Sequence, residues 1–231
     1  MLIEKSRRTL RTQALSIIRD ELISGRLRPG QKLNEVQIAR EIGISRGTLR
    51  EAIRNLEQEG LLVSIPHRGT HVRRFTARQA AELQEVRLSL EVTAACSVAR
   101  RWSDETDAYL DGRLRALEVA YRTPLPFADR LRADLRFHGA ICESCENETL
   151  LDVWRSLTGN ITVMVLNVGE ARMTPLQDPD AHRPLIAAIR GGDEQTIRDV
   201  FVAHFAAGQA IVDTAFRDGE VGELSAVGSE P

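Results

Sequence analysis

Three histidines and one aspartate in the later part of this chain have the side chains of a divalent-metal site. Asp134 and His138 are four residues apart in ADLRFH, so on a helix they share a face, while Leu135 and Phe137 point elsewhere. His182 precedes Leu185-Ile186, and His204 lies between Val202 and Phe205. Three imidazoles and a carboxylate converging in a helical bundle would make a borderline site suited to zinc, nickel or a similar ion. Spacing alone does not establish that three separate helices converge, and each histidine by itself is more often an ordinary core or surface residue. Pro184 tolerates a helix only within its first turn. The helix must therefore begin near Asp180, which would leave His182 on a fraying start. Cys142-x-x-Cys145 stands alone, with no second pair and no thioredoxin-like strand context, and reads as two small buried residues.

A second set of chemical groups lies near the beginning. Arg46 and Arg50 project side by side from the early turns of a helix, with Thr48 and Arg54 flanking them. Guanidinium forks placed there can reach guanine O6 and N7 in a major groove. Charge partitions in the same sense. Up to Thr76 there are 15 Lys and Arg against 8 Asp and Glu, a net of +7, whereas the remainder holds 16 against 25, a net of −9. A basic head on an acidic body fits a head that meets a polyanion.

The elements that must position these groups follow from periodicity. Ala14, Leu15, Ile17, Ile18, Leu22 and Ile23 predict a first helix over 10–24. Asn34 caps a short second helix that Gly43 ends, and Ser45 caps a third carrying Leu49, Ala52, Ile53 and Leu56 inward. A tight helix, glycine, helix join of this kind is a helix-turn-helix. Strands over 61–65 and 70–73, joined by Pro66-His67-Arg68-Gly69, add a two-stranded wing. After Thr76 the pattern is helical throughout. The first body helix has apolar positions Ala80, Leu83, Val86, Leu90, Ala94 and Val98, and further helices span 104–120, 126–145, 149–168, 179–190 and 194–216. The expected fold is mainly α: a winged helix-turn-helix over 1–75, an all-helical bundle over 76–218 and a disordered tail over 219–231.

Composition excludes several classes. Of 231 residues 42% are hydrophobic and 28% charged, and no apolar run reaches the roughly 18–20 residues that span a bilayer. Met1–Arg11 is polar and basic, without the apolar stretch of a secretory signal. Three cysteines form no disulfide framework and point to a cytoplasmic protein. Six Phe, two Trp and two Tyr are too few for a base-stacking platform.

The run PGQKLNEVQIAREIGISRGTLREAIRNLEQEGLLVSIPHRGTHV resembles the DNA-binding head of the GntR family of bacterial transcription regulators. Nearly every term of that family's phrase is present between Pro29 and Val72. Gly47-Thr48 departs from it, standing where the family often has Thr-Pro. The resemblance implies that Ser45, Arg46, Thr48 and Arg50 contact bases and phosphates, and that His67 and Gly69 at the wing tip contact the minor groove. The body is similar to the FCD effector domain of the FadR-type branch: Asp134/His138, then His182 with Leu185, Ala188, Ile189, Gly192 and Asp193, then His204. By that resemblance Asp134, His138, His182 and His204 are ligands of a divalent ion. Arg87, in Arg87-Leu88-Ser89-Leu90-Glu91, would hold the carboxylate of an effector, although its spacing equally suits an exposed partner of Glu91. The implied protein is no enzyme. It is a homodimeric regulator, a repressor on a palindromic double-stranded operator, controlled by a small carboxylate. The alternative is a regulator for which the ion itself is the signal.

Overall fold

The computed structural model describes residues 2–217, whose regular elements are helices apart from one two-stranded sheet. The tail expected over 219–231, and residue 218 before it, lie outside the described residues. Packing divides the chain into two compact units. One holds the chain up to Arg74 together with Thr158–Leu166, and the other holds Phe75–Leu157 and the chain from Asn167 onward.

In the first unit, α1 (Leu2–Ile23) buries Ala14, Ile18 and Leu22, spaced at successive turns. It begins eight residues earlier than periodicity indicates, and Ile17, one of the apolar residues that predicted it, is exposed. Helix α2 (Glu35–Ile42) starts where the Asn34 side chain accepts from the Gln37 backbone N–H. It stops at Gly43, whose φ of +74° lets its N–H return to the Ala39 and Arg40 carbonyls. Helix α3 (Arg46–Gln58) follows after two residues, with Ser45 accepting from the Thr48 N–H and Leu49, Ala52, Ile53 and Leu56 buried. Strands β1 (Leu62–Ile65) and β2 (Gly69–Val72) pair antiparallel from Leu62↔Val72 to Ile65↔Gly69, and Lys32 adds a bridge to His71. The wing is shifted by one residue from expectation at each strand start. Leu61 N–H is spent closing α3 on the Leu56 carbonyl, and Gly69 is already paired with Ile65.

The second unit is all-helical among the described residues: α4 (Ala77–Ala99), α5 (Asp104–Arg122), α6 (Phe127–Glu143), α7 (Glu148–Val168), α8 (Glu170–Met173), a 3-10 turn (Thr174–Gln177), α9 (Pro179–Gly191) and α10 (Glu194–Arg217). Thr76 and Gln79 form a reciprocal capping box at the start of α4. Leu110, Leu117, Phe137, Ile141, Ile189 and Phe201 are fully buried at the centre. Cys96, Cys142 and Cys145 are free thiols in the same core, and burial pushes the Cys142 thiol up, as suits inert packing residues.

Two features differ from the periodicity reading. The inward face of α4 keeps Ala80, Leu83, Ala94 and Val98 of the expected stripe, with Leu90 half-buried against the core, but not Val86. Val86 is 46% exposed, and Gln84, Arg87 and Glu91 are buried in its place. A helix face that is polar yet buried needs internal partners, and these lead to the site described next. The body is also not one continuous stretch, because Thr158–Leu166 of α7 belongs to the first unit. There Gly159 leaves no room for a Cβ against the Glu59 backbone.

The turn between α2 and α3 depends on a left-handed residue. Nothing lies within 4 Å of a Cβ placed on Gly43, so only backbone strain opposes Gly43→Ala. That substitution should lower the stability of the head by about 1–2 kcal/mol, measurable by urea denaturation followed by proteolysis of the first unit.

Candidate functional site

His138 lies mid-way along α6, His182 in the first turn of α9 and His204 on α10. Their ring centroids form a triangle with sides of 5.2 Å (His138–His182), 5.3 Å (His138–His204) and 4.9 Å (His182–His204). The three imidazoles expected at an ion therefore do come together, and Asp134 reaches one of them, its Oδ1 lying 3.1 Å from His182 Nε2. His182 does not sit on a fraying start. Helix α9 begins at Pro179, the Asp178 side chain accepts from the Asp180 N–H at 2.9 Å, and the His182 ring is completely buried. Pro184 is exposed and confined to the second turn, so its missing N–H does not loosen the histidine.

Each imidazole is oriented by an acceptor on its outer nitrogen. His138 Nδ1 meets Glu91 Oε2 at 2.6 Å, His182 Nδ1 meets the Asp178 carbonyl at 2.8 Å, and His204 Nδ1 meets the Ala181 carbonyl at 3.2 Å. Carbonyls and an ionised carboxylate only accept, so each Nδ1 carries the proton and each Nε2 presents a lone pair. The ligand atoms of the three histidines lie within 4.8 Å of one another. Two ligands of one ion at about 2.1 Å each lie at most about 4.2 Å apart, so small side-chain adjustments bring these nitrogens onto a single ion. His182 Nε2 has no hydrogen-bond partner, and although Asp134 Oδ1 is 3.1 Å away it is out of line for a hydrogen bond. An imidazole nitrogen without a proton and a carboxylate oxygen this close repel each other, and a cation bound by both removes the repulsion. The residues present therefore fit a divalent ion, and the outer acceptors are the kind of support that metal-binding histidines use.

Glu91 was in view in the sequence only as a partner of Arg87, and its depth was not legible. It is fully buried, with Oε1 accepting from Arg87 Nε at 2.7 Å and from Trp154 Nε1 at 3.2 Å, and Oε2 accepting from His138. Burial alone would raise its carboxyl, but Arg87 and His138 overturn that and hold it well below the usual range. Arg87 is thus a partner of Glu91, though a buried rather than an exposed one. Its guanidinium lies 5.0 Å over the Phe205 ring, and its Nη2 has no partner. Burial pushes His138 down and, with the neighbouring imidazoles, brings His204 to about 3.

In the head, Arg46 and Arg50 are exposed on the first turns of α3. Arg50 Nε lies 3.5 Å from Glu35 Oε2, and Glu35 Oε1 also accepts from Thr70 Oγ1 of β2 at 3.0 Å. Ser45 and Thr48 share a hydroxyl–hydroxyl bond of 2.9 Å, which uses one of their two hydroxyl protons and leaves one to donate outward. His67, at φ +61°, and Gly69, at φ +89°, stand at the exposed wing tip. A Cβ on Gly69 would come 3.2 Å from Lys32 Cε, so glycine lets that lysine lie along the wing.

Protonating a buried neutral imidazole is unfavourable in the folded state and free in the unfolded chain. The unfolded chain therefore binds more protons below its ordinary histidine value of 6.5, and stability is lost as pH falls from there toward about 3. Metal-free protein should lose about 1.4 kcal/mol per pH unit for each such proton. Urea unfolding followed by Trp102 and Trp154, both in the second unit, reads this slope, and His204→Gln should flatten it by up to one proton.

Residues 10–72 match the family described as bacterial regulatory proteins, gntR family, and residues 82–207 match the FCD domain. The chain is 31% identical to the probable D-xylose utilization operon transcriptional repressor of Paenarthrobacter nicotinovorans, over 87% of this chain and 90% of that one. It is 27% identical to the gluconate operon transcriptional repressor of Bacillus licheniformis, over 76% and 74%. In fold it is similar to a structural-genomics GntR regulator from Rhodococcus sp. RHA1 (TM-score 0.77, 22% identity, 90% and 99% covered). It is also similar in fold to Escherichia coli McbR/YncC (0.71, 20%, 90% and 98%). These are proteins that bind DNA and regulate transcription rather than enzymes. The chain belongs to the GntR family of bacterial regulatory proteins and joins that family's DNA-binding head to an FCD domain.

Proposed function

We propose that the protein is a homodimeric, cytoplasmic repressor whose hold on a palindromic operator is controlled by a small carboxylate bound beside a divalent ion, zinc or nickel. Asp134, His138, His182 and His204 hold the ion, and Arg87 takes the carboxylate. The observation that carries this reading is the pairing of two unmet demands in one buried place. A proton-free Nε2 crowded against a carboxylate oxygen calls for a cation, and an orphaned Arg87 Nη2 calls for an anion. A bound ion supplies fixed positive charge and open positions for carboxylate oxygens. Arg87 Nη2 adds a donor whose orientation is already set by Glu91 and Phe205, so little side-chain freedom is lost on binding. The unmet guanidinium favours this reading over one in which the ion alone is the signal, since an ion needs no second cation beside it.

Helix α3 of each subunit enters the major groove of one half-site. Ser45, Arg46, Thr48 and Arg50 read bases and phosphates, and the wing tip at His67 and Gly69 lies on the adjoining minor groove. Arg50 leaves its long, exposed pairing with Glu35 at little cost. The acid shifts the population of the helical domain's arrangements, and with it the affinity of the paired heads.

Fluorescence anisotropy on promoter fragments flanking the gene tests both halves. Arg46→Ala and Arg50→Ala should each weaken specific binding by about 5–150-fold, the 1–3 kcal/mol of a lost base contact. With zinc-loaded protein, a responsive acid should shift operator affinity, and Arg87→Lys, which keeps the charge but loses the fork, should raise the concentration needed about tenfold. If zinc alone moved affinity and no carboxylate did, the metal-signal reading would replace this one.

A further inference from the structure

We propose that Lys32, together with Arg46, grips the sugar-phosphate strand that separates the major groove read by α3 from the minor groove under the wing. This rests on the groove placement of α3 and the wing given above. Residues 30–33 run beside β2 as an extended segment. Gly30 N–H donates to the Val72 carbonyl at 3.0 Å, Val72 N–H to that of Gln31 at 2.9 Å, and Leu33 N–H to that of Thr70 at 2.8 Å. Successive side chains of an extended segment point to opposite faces. Leu33 is buried, and Lys32 before it is exposed. The lysine stem lies along the wing tip, since a Cβ on Gly69 would come 3.2 Å from Lys32 Cε and 3.8 Å from Nζ. A concavity of about 450 Å³ lies here, lined by Lys32, Gly69 and Thr70 on the wing side, Arg46 of α3, and Glu35 and Val36 of α2.

Adjacent grooves of a duplex share one sugar-phosphate strand. A head with α3 in one groove and its wing in the next must straddle that strand, and this concavity is bounded by both reading elements. The strand is anionic, so the charges it meets decide whether it is seated. Lys32 and Arg46 have no ion-pair partner among the described residues. Glu35 brings the one carboxylate of the lining, and it is already engaged, accepting from Thr70 Oγ1 at 3.0 Å and pairing with Arg50 at 3.5 Å. When Arg50 turns to a base, two cations still stand against that carboxylate, and the concavity stays net positive. An ammonium is a compact charge with three rotatable donors, so Lys32 can meet a phosphate oxygen without a fixed approach. Such a contact carries no sequence information. Lys32 therefore adds affinity on any duplex and holds the register in which Arg46 and Arg50 meet the bases.

The test is fluorescence anisotropy of the full-length protein on the promoter duplex and on a scrambled duplex of equal length. Lys32→Met keeps an unbranched stem over Gly69 and loses the charge. Each neutralised phosphate contact adds about 0.9 to the slope of log affinity against log salt, and a dimer has two. Between about 50 and 200 mM salt the parent should lose about tenfold more affinity than Lys32→Met, equally on both duplexes. Lys32→Arg should keep the slope of the parent. A single methylphosphonate, moved along the footprinted half-site, should weaken the parent at a position between the two grooves and leave Lys32→Met indifferent there. An unchanged slope in Lys32→Met, a loss confined to the promoter duplex, or a slope lost in Lys32→Arg as well would overturn the proposal. So would the absence of any position at which the two proteins differ. If Arg46→Ala and Arg50→Ala still weakened specific binding, the groove placement would stand without Lys32. If the parent bound both duplexes alike and neither arginine variant changed that, the groove placement itself would fall.

Discussion

A carboxylate with no solvent exposure, Glu91, is the interaction on which the second unit is organised. An ionised group in an apolar core is tolerated only when every lone pair is engaged, and Glu91 engages Arg87, Trp154 and His138, contributed by α4, α7 and α6. Removing any one partner would leave buried charge uncompensated, so these three helices are held in one mutual arrangement. The same carboxylate decides two chemical facts at a distance from itself. It fixes the proton of His138 on Nδ1, and it takes only part of the Arg87 fork. The result is a lone pair and a free donor, both presented to the interior.

This polar cluster gains specificity at the expense of core stability. Well-packed apolar side chains in place of Gln84, Arg87 and Glu91 would close the core with no unmet groups. Their retention makes sense if the interior is completed by something from outside. The DNA-binding unit is built in the opposite manner. Its core is apolar, and its chemical groups are exposed and lightly held, with Arg50 on a 3.5 Å pairing to Glu35 and the Ser45–Thr48 cap keeping one hydroxyl proton to spare. One unit holds its polar groups preset in the interior, and the other presents a set of adaptable contacts suited to a solvated polyanion.

Much of this was legible beforehand because the signals are local. Asn34, Gly43 and Ser45 act on backbone groups within four residues, so caps and turn are readable as a string, and the wing was displaced by only one residue. The Asp134/His138 pair is likewise a single-helix spacing. The α4 face was misread for an equally definite reason. Periodicity rewards Val86, and no rule of local pattern places Gln84, Arg87 and Glu91 inward when their partners lie on α6, α7 and α10. The short α8 and the 3-10 turn, which set the Asp178 carbonyl, fall in the gap between the helices expected over 149–168 and 179–190.

Order along the chain thus determined the winged head, the helical body, the basic-to-acidic division of charge and the identity of the three imidazoles. These depend on hydrogen bonds and side-chain spacings within a turn or two. Folding in three dimensions decided that the imidazoles meet, which nitrogen of each is free, and that Arg87 is interior with one amine unmet. It also decided that Gln84, one turn before it, is buried on the same helix face. Those outcomes depend on desolvation and on acceptors carried by other helices, and neither is encoded at any fixed distance in the sequence.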